Sequence, residues 1–109
     1  REFLHADDLA DACVFLMQNC SASELDGHVN IGTGVDVSIR ELTHLIQKTV
    51  DYKGALAFDA SKPDGTPRKL LNVDKMNKLG WTAKKTLEKG LEDTYDWYLA
   101  NLNLSKDAS

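Results

Sequence analysis

The stretch Phe58-Asp-Ala-Ser-Lys-Pro-Asp-Gly-Thr-Pro-Arg-Lys69 is one that the chain must turn through. Pro63-Asp64-Gly65 predicts a tight turn, since proline presets φ, aspartate bonds its own backbone and glycine accepts positive φ. Pro67 adds a second rigid corner, and the residue before each proline is biased towards extended backbone. The apolar run Ala55-Leu56-Ala57-Phe58 ahead of the loop reads as a buried strand. Lys62, Arg68 and Lys69 sit on this stiffened loop. Cations with little freedom to lose suit an anionic ligand such as a diphosphate. A solvated surface turn would carry the same residues, so the loop alone leaves both readings open.

Composition narrows the classes. At 109 residues the chain is one domain long, enough to bury about two thirds of its unfolded surface. A net charge of −4 argues against a general nucleic-acid binder, which would draw its affinity from backbone phosphates. No apolar run reaches the roughly 20 residues of a membrane span, and a cytoplasmic protein is expected. The opening Arg1-Glu2-Phe3-Leu4-His5 enters structure without a lead, as a piece of a longer chain would. Cys13 and Cys20, about 10 Å apart along a shared helix, are too distant for a disulfide. They read as small apolar core residues in a reducing compartment. With three scattered histidines they give no metal-ligand spacing.

Taken in order, residues 3–5 suggest a short strand, and Asp7 and Asp8 offer cap oxygens to a helix. Leu9, Ala12, Cys13, Leu16, Met17 and Cys20 fall on one helical stripe. Residues 19–27 read as a loop, and Val29-Asn30-Ile31 as a strand closed by Gly32-Thr33-Gly34. A dinucleotide fingerprint there would need glycine at position 37, where Val37 stands, so the turn reads as structural. Ser38-Ile39-Arg40-Glu41 is a capping box opening a helix with Ile39, Leu42, Leu45, Ile46 and Val50 inward. Leu70-Leu71 with Val73 suggests a brief strand. Asp74 caps a short helix ended by Gly80, and Trp81 is a core anchor. Thr86 caps the last helix, whose stripe is Leu87, Leu91, Thr94, Tyr95, Tyr98 and Leu102. Its aromatic group of Tyr95, Trp97 and Tyr98 reads as packing rather than a platform for bases. The polar residues 103–109 read as a frayed tail behind a single domain at 1–102. The expected architecture is α/β, with about three longer helices and a few short strands.

Arg-Glu-Phe-Leu-His-Ala-Asp-Asp-Leu-Ala at 1–10, Asn30-Ile31-Gly32-Thr33-Gly34 and Ser38-Ile39-Arg40-Glu41-Leu42 resemble extended short-chain dehydrogenases acting on nucleotide sugars. The basic loop through Leu71, Leu79-Gly80-Trp81, and Thr94-Tyr95-Asp96-Trp97-Tyr98 narrow the resemblance to the GDP-L-fucose synthase family. That resemblance implies NADP-dependent conversion of GDP-4-keto-6-deoxy-mannose, with this chain as the carboxy-terminal substrate-binding part. It implies that Arg1 and Lys69 contact the diphosphate of a GDP-sugar, with Arg68 a weaker candidate and Asp64 facing ribose or guanine. It also implies that the NADP-binding loop and the residues of hydride transfer and epimerisation precede Arg1. Alone, the chain would then hold no cofactor and carry no catalytic residue. His5, Cys13 and Cys20 are not assigned to those roles. Two other readings stay open: a stand-alone module that self-associates through exposed apolar surface, and part of another nucleotide-sugar epimerase or dehydratase.

Overall fold

Helices form where a side-chain oxygen or nitrogen can receive the first free backbone amides, and two of the five helices among the described residues are capped as the sequence leads one to expect. A computed structural model describes residues 1–103. It contains α1 (Ala6–Asn19), α2 (Ala22–Leu25), α3 (Ile39–Thr49), α4 (Asp74–Leu79) and α5 (Leu87–Ala100). The three longer helices are the expected ones. The Ser38 hydroxyl accepts from Glu41 N at 3.0 Å while the Glu41 carboxylate accepts from Ser38 N at 2.9 Å, completing the capping box. Thr86 accepts from Lys89 N at 3.2 Å, and Gly80 ends α4 with φ 107°.

Other local expectations are corrected. The cap of α1 is His5, whose Nδ1 accepts from Asp7 N at 3.0 Å, because Asp8 is buried and turned towards residues 84 and 85. In α4 it is Asn72 whose carboxamide oxygen takes Asp74 N at 3.0 Å, and Asp74 caps nothing. The loop at 19–27 contains the one-turn helix α2, capped by Ser21. In the basic loop the turn lies earlier than Pro63-Asp64-Gly65. The Asp59 carboxylate accepts from both the amide and hydroxyl of Ser61, and this local bond competes successfully with the proline signal.

The α/β expectation fails on its strands. Among the described residues there is no strand, only one antiparallel bridge between Glu2 and Asp36. A strand exists through its neighbour's amides and carbonyls. The apolar runs at 29–31, 55–58 and 70–73 find no such neighbour and stay unpaired. Val29 and Ile31 instead pack on the small core of Ala12, Met76 and Trp81, together with Leu4, Phe15, Leu16, Leu79 and Ala83. Trp81 is the anchor the sequence suggests. Cys13 is exposed and Cys20 half-buried, so neither is a core residue, and both are free thiols.

Helix α3 lies against α5, the one helix pair in close contact among the described residues. The chain is open, with a radius of gyration of 17.3 Å against about 13 Å for a compact chain of this length. Large apolar side chains are correspondingly bare, among them Met17, Val35 and Trp97. Tyr95 is half-buried while Trp97 and Tyr98 are exposed, so the aromatic group is rim rather than core. Of the tail at 103–109, residues 104–109 lie outside the described residues.

Candidate functional site

The two-residue bridge near the amino end fixes the site. Arg1 N donates to the Val37 carbonyl at 2.7 Å, and Val37 N returns to the Arg1 carbonyl at 2.9 Å. Three side chains leave this bridge towards the basic loop. Arg1 Nη1 donates to the Thr66 carbonyl at 2.6 Å. Asp36 accepts from Arg68 through Nε at 2.6 Å and Nη2 at 3.2 Å. One oxygen of Glu2 accepts from Leu71 N at 3.3 Å, and the other accepts from Gly34 N at 2.6 Å. Arg40 adds a fourth tether, stacking 4.2 Å from the centre of the Phe58 ring. Residues 57–72 are exposed throughout, so polar tethers, not burial, hold the loop.

Between bridge and loop lies a cleft of about 590 Å³, bordered by Arg1, Asp36, Asp64, Gly65 and Arg68, and by Ser38 and Glu41 at the start of α3. The size is that of a small-molecule site. Gly65 lacks positive φ, and what it leaves room for is the end of the Arg1 side chain. A Cβ there would stand 2.6 Å from Arg1 Nη2. The charges differ in how they are used. Glu41 is committed to its cap, and Arg68 with Asp36 forms a two-point ion pair. That pairing holds the Asp36 carboxyl below the usual carboxylate range and raises the Arg68 guanidinium above its own. Arg1 meets only a neutral carbonyl, and its remaining donors have no carboxylate partner among the described residues. The Asp64 carboxylate has no donor among the described residues and borders the same cleft.

Thus the structure brings Arg1, Arg68 and Asp64 together. Lys69 follows Arg68 but does not border the cleft; it is exposed and forms no ion pair among the described residues. Sequence reasoning missed Glu2 and Asp36. No local sign marked Asp36, whose partner Arg68 lies 32 residues away. A sign for Glu2 lay in Gly32. A Cβ there would fall 2.8 Å from the Glu2 carboxylate, so this glycine leaves room for it. The Gly32-Thr33-Gly34 turn therefore does not fit the diphosphate of NADP. Its amide is spent on Glu2, whose charge would repel phosphate. No group of three or more metal-ligating side chains occurs among the described residues, and no described helix is long and apolar enough to cross a membrane.

Comparison with known proteins extends this description. The NAD dependent epimerase/dehydratase family matches residues 1–32. GDP-L-fucose synthase 1 of Arabidopsis thaliana is 57% identical over 102 residues, covering 94% of this chain and 31% of that protein. The GDP-L-fucose synthase of Escherichia coli (strain K12) is 51% identical over 107 residues, covering 93% of this chain and 33% of that protein. Among solved structures, a GDP-6-OMe-4-keto-L-xylo-heptose reductase from C. jejuni superposes with a TM-score of 0.86 at 39% identity, over 93% of this chain and 31% of the other. The NADP-bound GDP-mannoheptose C4 reductase from Campylobacter jejuni gives 0.81 at 39%, over 91% and 31%. The chain spans about a third of the length of these relatives. Over that third it is similar to GDP-L-fucose synthases and to GDP-sugar reductases.

Proposed function

We propose that the chain is the carboxy-terminal, GDP-sugar-binding part of an NADP-dependent GDP-L-fucose synthase, acting on GDP-4-keto-6-deoxy-mannose. The observation that carries this reading is the Arg1 guanidinium, oriented by the Thr66 carbonyl yet without a carboxylate partner among the described residues, beside a cleft of nucleotide size. An arginine held in place and left unneutralised is suited to two-point binding of a phosphate. Lys69, unpaired and one residue beyond the cleft, is the second cation assigned to the diphosphate, with Arg68 between them. Asp64 accepts from ribose hydroxyls or from the donor edge of guanine. The chain's own residues bind and orient; reduction and epimerisation are assigned to none of them, and NADP is assigned no residue here.

Calorimetry of the chain with GDP tests this directly. Binding is expected, weaker for UDP, and strongly reduced by Arg1→Ala and Lys69→Ala. Equal heats for the variants would remove those two side chains from the site. A preference for UDP would favour another nucleotide-sugar epimerase or dehydratase.

The open shape and bare apolar side chains favour a second reading, a self-associating module without nucleotide binding. Light scattering separates the two. A stable oligomer whose melting ignores GDP supports the module, and a monomer stabilised by GDP excludes it.

A further inference from the structure

The basic loop has no buried residue between 57 and 72, so its position depends on what is fastened to it. Two of its tethers originate at one point, residues 36 and 1, on either side of the bridge. They differ in kind. The Arg1 tether ends on a backbone carbonyl and leaves the loop's side chains free. The Asp36 tether grips a side chain, engaging Nε and Nη2 of Arg68 and leaving Nη1 unengaged on a residue bordering the cleft. Arg68 is 69% exposed and Asp36 23%, so the pair adds little to stability. What it does is restrict a long, mobile side chain.

We propose that Asp36 is a positioning residue for anion binding, holding Arg68 in the orientation from which its free edge meets the phosphate. The proposal rests on the binding reading above and adds a residue and a sign to it. Asp36 is negative and stands among the cations of the site. If charge alone governed affinity, its neutralisation would tighten anion binding. If orientation governs, neutralisation loosens Arg68 and weakens binding, because an unheld side chain must be ordered by the ligand.

The test measures GDP affinity of the 109-residue chain by calorimetry for the wild type, Asp36→Asn and Asp36→Glu. It is accompanied by the nuclear magnetic resonance signal of the Arg68 Nε proton. Asp36→Asn is expected to melt like the wild type, to lose protection of that proton, and to bind GDP about three- to tenfold more weakly. Asp36→Glu, which keeps a carboxylate within reach, is expected to recover part of the loss. Unchanged or tighter binding in Asp36→Asn would overturn the proposal. Absence of GDP binding in the wild type would instead overturn the reading beneath it. The Arg68 proton would then still decide whether Asp36 fastens the loop, since an unprotected wild-type signal excludes it.

Discussion

The corner around Trp81 and the loop around Arg68 use the same kinds of residue to opposite ends. At Trp81 every charge has a fixed structural use. Buried Asp8 accepts the backbone amides of Lys84 and Lys85 at 3.1 and 2.9 Å, and Asp11 accepts both the Trp81 indole and the Lys84 ammonium at 2.9 Å. These bonds join α1 to residues 70 to 77 positions later and seal the buried core around Trp81. In the loop nothing is buried, and among the described residues Arg1 and Lys69 have no acidic partner while Arg68 is paired. The lesson is that a carboxylate facing backbone amides builds the fold, while a cation facing open space is available to a ligand.

The comparison breaks most visibly at Trp81. Trp81→Ala empties the core and removes one of the two donors to Asp11, at a cost of about 3–5 kcal/mol. With only Ala12 and Met76 left buried, the chain should lose cooperative unfolding, seen as a flattened thermal transition by circular dichroism. Preserved cooperativity would mean that the core lies elsewhere.

Arg1→Ala is the converse. It removes one exposed bond to a loop carbonyl, so melting should move little, by less than about 0.5 kcal/mol. GDP affinity should fall roughly 10- to 100-fold, the scale of a charge-assisted hydrogen bond. A large loss of stability with no change in affinity would place Arg1 with the structural charges.

How much of this was legible follows from range. The capping boxes and helix stops are written within four residues, so Ser38, Glu41, Thr86 and Gly80 announce them. Asp8 was misread because its partners lie 76 and 77 residues away, and a first-turn aspartate looks like a cap whatever it faces. The strands were misread for a related reason: apolar alternation proposes a strand, but only a neighbour supplies its bonds. In the site, the family motifs pointed to the loop and to Arg1. The Asp36–Arg68 pair, which spans 32 residues, needed coordinates.

Ser38→Ala tests the helix that borders both regions. Loss of the cap oxygen should cost about 1 kcal/mol. Because α3 carries Arg40 under the loop and packs on α5, the loss should appear in melting first. GDP affinity should change only as far as Phe58 shifts. An affinity loss exceeding that of Arg1→Ala would make the α3 amino end itself part of the binding surface.

The smallest expected effect concerns pH. Hydrogen bonds from Lys85 and Lys89 pull the Asp93 carboxyl down to about 2, and the same bonds raise both lysines. A depressed folded value means that Asp93 stabilises the fold fully above the ordinary carboxylate range near about 4. The contribution fades as pH falls from there towards about 2. The lysines' share persists through neutral pH and is lost only as pH rises through their elevated values. Asp93→Asn should therefore lower stability at neutral pH, flatten the acid limb between those two values and converge with the wild type at the lower one. Asp36, also depressed, holds the loop from the bridge, so its protonation should release Arg68 without unfolding the chain. Acid titration followed by two probes, circular dichroism for the helices and the Arg68 Nε proton for the loop, should thus yield two separate transitions. A single shared transition would mean that loop and core melt as one unit and that the division between them is not real.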